Sequence, residues 1–196
     1  GILSTKTLQK RGILAKSNCT FYNIREPDLQ YELYQDAVTK GMAESTYLHD
    51  VVSRLAKKQT GRTLVLVERI AHGDALAEMI PGALWVRGED NLETRNWVKE
   101  QLKTAKGNVV AIATKGIFNT GINVFIHNLI NASGGKAEHQ VIQLMGRGLR
   151  TAEDKGELQY YDFWFHINEY LESHSRKRVK ILKEQGHPVV VKDIDF

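Results

Sequence analysis

From Gly61 onward, short runs of branched apolar residues alternate with stretches whose apolar positions recur every three or four residues. That alternation predicts βαβ units around a mostly parallel sheet. The expected strands are Arg62 to Val67 (RTLVLV), Ala83 to Val86 (ALWV), Asn108 to Ala113 (NVVAIA), Asn128 to Asn131 and Leu158 to Phe165 (LQYYDFWF), all of a kind that fits buried or half-buried strands. Between them, Asp90 followed by Glu93 makes a capping-box pattern that opens a helix through Trp97 and Leu102. Glu138 to Leu149 puts Val141, Leu144 and Met145 on one side, which predicts a helix packed on the sheet.

The first sixty residues read differently. Cys19 to Ile24 predicts a strand, Pro27 and Asp28 start a helix reaching about Lys40, and Glu44 to Lys58 predicts a second helix. Residues 1–60 are therefore expected to form a lead-in packed on an α/β core of residues 61–196. At the far end Ile167 to Gln185 predicts a long helix carrying Arg176, Lys177, Arg178, Lys180 and Lys183, stopped by Gly186 and followed by a short strand at Pro188 to Val191. No internal repeat and no low-complexity segment interrupts this pattern.

Composition narrows the class. A hydrophobic share of 42% over 196 residues can bury one substantial core. No run approaches the roughly 20 apolar residues of a membrane span, so the expectation is a soluble, intracellular protein that does not meet a membrane. The lone cysteine, Cys19, can form no internal disulfide, and His72, His127, His139 and His166 lack the spacing of a helical metal site, so no metal ligand is expected. The net charge of +4 suits a polyanionic partner without requiring one.

Two segments carry candidate chemistry. In QLMGRGLR, a helix would place Gln143, Arg147 and Arg150 at i, i+4 and i+7, on one face, while Gly146 and Gly148 let that edge come close to something. Guanidinium forks grip phosphate oxygens and stabilise charge that develops in phosphoryl transfer. The competing reading is a solvated or salt-bridged basic face. In AIATKGIFNTGIN, a buried strand breaks into Thr114, Lys115 and Gly116 and then Thr120 and Gly121, at the sheet edge where α/β folds bind ligands. An ordinary strand-to-loop connection fits the same residues.

In order and spacing, RTLVLVERIAHG, AIATKGIFNTGIN and QLMGRGLR resemble motifs IV, V and VI of the second RecA-like domain of superfamily 2 helicases and translocases, among them DNA-repair, phage and restriction-type members. The resemblance spans roughly Gly61 to Phe165 and implies a three-layer α/β fold with a mostly parallel central sheet, helices on both faces, a helical N-terminal lead-in and a long C-terminal helix. It implies that Arg147 and Arg150 reach the γ-phosphate of a nucleotide, that Gln143, Gly146, Gly121 and Asn123 lie near that nucleotide, and that Thr114 and Lys115 meet nucleic-acid phosphates. Asn123 stands where many members have aspartate. Arg69, His72 and Arg87 follow strands at positions that often contact a phosphate backbone, although a solvated helix start explains them equally.

No G-x-x-x-x-G-K-[ST] loop and no Walker B pattern occurs, so the expectation is that ATP and Mg2+ are held mainly by a first RecA-like domain and that this chain alone does not hydrolyse ATP. The implied polymer is DNA in preference to RNA. A non-catalytic nucleic-acid-binding or scaffolding module of the same fold is the alternative. The cluster Arg176 to Lys183 reads first as basic side chains solvated near a helix C-terminus, with nucleic-acid contact as the alternative, and the aromatic residues of LQYYDFWF read as core rather than as a base-stacking platform.

Overall fold

The computed structural model describes residues 17–26, 29–87, 92–104, 106–114, 124–134, 149–150 and 157–196. Seven strands make one sheet: β1 (Ser17–Ile24), β2 (Arg62–Val67), β3 (Leu84–Val86), β4 (Val109–Thr114), β6 (Asn128–Asn131), β8 (Leu158–Phe165) and β9 (Val189–Lys192). A separate parallel pair joins β5 (Val124–Phe125) to β7 (Leu149–Arg150). The helices are α1 (Tyr34–Val38), which runs into a π-helical turn (Thr39–Ala43), then α2 (Thr46–Lys58), α3 (Ile70–Met79), α4 (Leu92–Thr104) and α5 (Glu169–Glu184).

Strand order is β3-β4-β2-β6-β8-β1-β9, and every pairing is parallel. Parallel neighbours need crossovers over a face, which is why helices alternate with strands along the chain. Side chains of β2 divide between the two faces as the pleat demands. Leu64 and Leu66 join a layer with Val98 and Leu102 of α4 and Val179 and Leu182 of α5, whereas Val65 and Val67 join one with Val52 and Leu55 of α2 and Leu76 of α3. With both faces covered, RTLVLV has to be apolar at consecutive positions. The outcome is the expected three-layer α/β architecture. Local chemistry starts two of its helices: the Ser45 hydroxyl accepts from the Leu48 N–H at 3.1 Å, and the Asn168 carboxamide oxygen accepts from Tyr170 and Leu171 N–H groups at 2.9 and 3.1 Å.

Expected bounds for β2, β6 and β8 coincide with those observed. Three expectations change. The lead-in strand does not lie against the core but inside the sheet: β1 sits between β8 and β9, hydrogen-bonded to both. The helix expected from Pro27 and Asp28 lies partly outside the described residues, and its described part begins only at Tyr34. The stretch before it is captured instead by the turn after β8, where Tyr31 donates its N–H to Ile167 O at 2.9 Å and the Asn168 side chain donates to Tyr31 O at 2.7 Å. Those contacts consume groups that a helix would need for its own first turn. Finally, Leu149 belongs to β7, so a helix from Glu138 cannot include it; residues 138–148 lie outside the described residues.

Candidate functional site at the carboxyl edge

Because all seven strands run the same way, their carboxyl ends share one edge. There, three adjacent strands each deliver a residue singled out from the sequence. Thr114 is the last residue of β4 and stands in register with Val67, the last of β2; Arg87 follows β3 directly; Arg69 lies two residues beyond β2 and caps α3. At strand spacings of about 4.8 Å such residues form a row.

Both arginines of that row are already engaged. Arg69 donates to the Thr39 hydroxyl at 2.6 Å and to the Gln35 carboxamide oxygen at 3.1 Å, tying the edge to α1 and the π turn. Arg87 stands 4.0 Å from Asp74, whose other oxygen accepts the Trp85 indole N–H at 2.8 Å. Both arginines thus approach the edge from braced positions. His72 does not belong in the row. It is 1% exposed, its ring lies 5.0 Å from that of His49, and burial followed by the neighbouring His49 pushes its pKa down to about 3. A neutral imidazole with no surface cannot contact a phosphate, and that expectation is corrected.

Arg150 is located through its backbone, as the second residue of β7 beside Phe125 of β5. Lys115, Gly121, Asn123, Gln143, Gly146 and Arg147 lie outside the described residues. Among the described residues no group of three or more His, Cys, Asp or Glu side chains is placed to hold a metal ion, and no helix is long and apolar enough to cross a membrane.

The reading of Arg176 to Lys183 as uniformly solvated is also corrected, because Arg178 points into the core. Its Nε donates to Asp162 Oδ2 at 2.9 Å and its Nη2 to Asp162 Oδ1 at 3.2 Å, with both side chains at most 2% exposed. Asp162 Oδ2 also accepts the Tyr160 hydroxyl at 2.5 Å and the Asn131 amide at 3.4 Å. Burial, then the nearby carboxylate, hold the Tyr160 pKa well above its usual value, so that hydroxyl remains a donor. In turn Asn131 Oδ1 accepts the Ser133 hydroxyl at 2.5 Å and the Ser133 N–H at 3.2 Å. The sequence held one unread signal of this network: Asp162 is the only charge in LQYYDFWF and shares its strand face with Tyr160. An acid buried in a strand demands a basic partner.

No protein-family model matches the chain. It is 25% identical over 223 residues to the ATP-dependent DNA helicase uvsW of Enterobacteria phage T4, a match covering 99% of this chain and 44% of that relative. The chain thus spans less than half the length of the curated relative it matches. The crystal structure of T4 UvsW matches with a TM-score of 0.68 and 20% identity, over 91% of this chain and 41% of that one. The C-terminal domain of the DEAD-box protein Dbp5 matches at 0.58 with 13% identity, over 90% of each chain. The E. coli DEAD-box protein SrmB, bound to the regulator of ribonuclease activity A, matches at 0.55 with 13% identity, over 93% of this chain and 91% of that one. Parallel strand order, a core on both faces of the sheet and these likenesses converge: the chain has the RecA-like fold seen in the C-terminal domains of helicases and is similar in sequence to a phage T4 DNA helicase.

Proposed function

We propose that this chain is the second motor domain of an ATP-dependent DNA helicase or translocase, working with a first RecA-like domain that holds ATP and Mg2+. The observation that carries the reading is the row Arg87, Thr114 and Arg69 on β3, β4 and β2, with the next strand, β6, leading on toward QLMGRGLR. Thr114 and Lys115, with Arg69 and Arg87 beside them, meet the phosphates of one strand. Gln143, Gly146, Gly121 and Asn123 line the nucleotide side. Closure of the two domains around ATP brings Arg147 and Arg150 to the γ-phosphate, where a guanidinium offsets charge developing in the transition state. The similarity to a protein named as an ATP-dependent DNA helicase supports both ATP and DNA as ligands.

The test is ATP hydrolysis by the complete protein, with single-stranded, duplex and branched DNA and with RNA as alternative stimulants. Arg147→Ala and Arg150→Ala should each lower stimulated turnover by roughly 10³ to 10⁵, the worth of an arginine in related phosphoryl transfers. The 196-residue chain alone should be inactive. Near-normal turnover in both variants defeats the reading, and stimulation by RNA alone reassigns the polymer.

A further inference from the structure

We infer that Thr39 and Gln35 are positioning residues for a nucleic-acid contact: from the lead-in they hold the Arg69 guanidinium at the carboxyl edge in the orientation that meets a phosphate. This inference rests on the reading that Arg69 serves the bound strand, and it gives the lead-in a part in gripping the polymer. Arg69 follows β2, and its guanidinium donates through Nη1 to the Thr39 hydroxyl at 2.6 Å and through Nη2 to the Gln35 carboxamide oxygen at 3.1 Å. Gln35 lies in α1 and Thr39 one helical turn later, so both oxygens are presented to the same fork.

Pinning the lead-in does not by itself account for an arginine at this place. A neutral amide holds two neutral oxygens as well, without the cost of desolvating a charge. A guanidinium also has more N–H donors than the two engaged here among the described residues. Both braces are neutral, so they fix the plane of the fork while leaving its positive charge uncompensated by them. Arg87, on the other flank of Thr114, stands instead 4.0 Å from the Asp74 carboxylate. An oriented guanidinium whose braces take none of its charge is what phosphate recognition requires.

The brace is itself anchored. Thr39 opens the π-helical turn that interrupts α1, and such turns occur mostly at functional sites. Its carbonyl accepts the Glu44 N–H at 2.9 Å, and the His49 ring donates to Ala43 O at 2.8 Å, which fastens the turn to α2. On its other flank the turn meets the exit of β8, where a Cβ on Gly41 would stand 2.5 Å from Ile167 and 3.0 Å from Tyr31. Thr39 is thus placed by α2 and by the β8 exit before any ligand arrives. An arginine held in this way avoids the ordering cost that a long side chain otherwise meets on binding.

The experiment uses the complete protein without nucleotide and follows binding of a fluorescent thymidine oligonucleotide by anisotropy over a range of salt, with the Tm of each variant as a check on folding. Arg69→Ala should weaken binding and lower the slope of log affinity against log salt by about 0.7, the share of one phosphate on a single strand. Thr39→Val keeps the shape and the arginine but removes the accepting oxygen. It should weaken binding about three- to tenfold, Thr39→Ser should restore it, and in an Arg69→Ala background Thr39→Val should add nothing. If Thr39→Val fails to fold, Gln35→Ala, at an exposed position, is read by the same comparison. Unchanged affinity in Thr39→Val beside weakened binding in Arg69→Ala means that Thr39 only pins the lead-in; the inference is then overturned while the reading of Arg69 stands. A loss that Thr39→Ser does not restore, or that persists in the Arg69→Ala background, also overturns it. If Arg69→Ala binds normally, the reading of Arg69 falls, and the inference with it.

Discussion

Arg178→Ala should destabilise the chain by about 3–5 kcal/mol, because it leaves the Asp162 carboxylate buried without its counter-charge. The structure narrows the range. After truncation Asp162 still accepts the Tyr160 hydroxyl at 2.5 Å and the Phe163 N–H at 2.6 Å, so part of its solvation is retained. That places the cost near the lower bound, about 3 kcal/mol. For a domain of this size each kcal/mol shifts Tm by roughly 2–4 °C, giving a fall of about 6–12 °C. Lys180, two positions along the same helix, provides the contrast: its side chain is 75% exposed and stands 4.0 Å from Glu184. An exposed pair of that kind contributes about 0–1 kcal/mol, so Lys180→Ala should leave Tm nearly unchanged. Thermal and urea unfolding of both variants, with m-values compared to confirm the same transition, make the measurement. Adding Asp162→Asn to Arg178→Ala should recover part of the loss, since it removes the uncompensated charge. If Arg178→Ala lies within about 1 kcal/mol of Lys180→Ala, the account of a desolvated ion pair is wrong.

Two further outcomes follow from groups outside the Arg178–Asp162 network. His72 is held neutral, its pKa pushed from 6.5 down to about 3, so its contribution is complete above pH 6.5 and is lost as pH falls toward 3. Between pH 7 and pH 5 that loss is about 2 kcal/mol, and urea midpoints of His72→Phe should lack this part of the slope; an unchanged slope refutes the assignment. Gly73→Ala should destabilise by about 1–3 kcal/mol despite alanine's better helix propensity. Its Cβ would stand 2.1 Å from the Trp85 ring, which the Asp74 hydrogen bond keeps from swinging aside, and a stabilised variant would contradict that packing.

The residues differ in how readily their roles could be read. The bounds of β2, β6 and β8 were legible because branched and aromatic runs end at glycines or polar residues within a few positions. The arginine-bearing segment was read as a motif because its residue types sit at a spacing that phosphate chemistry uses; all of it but Leu149 and Arg150 lies outside the described residues. Arg178 and Lys180 looked alike, as did His72 and Arg69, since each pair shares one helix or one loop and differs only in what packs above it. The start of α1 was misplaced for a related reason: Pro27 and Asp28 are good local helix signals, and the turn at Ile167 and Asn168, far along the chain, overrode them.

What the chain's linear order determined by itself was periodic: which stretches alternate as strands and helices, and where the buried strands β2, β6 and β8 begin and end. The tertiary structure alone decided that β1 lies between β8 and β9, with Ser17 opposite Leu158, and that Asp162 meets Arg178 out of water. Strand neighbours and desolvation are properties of residues brought together from distant positions, and a local pattern contains neither.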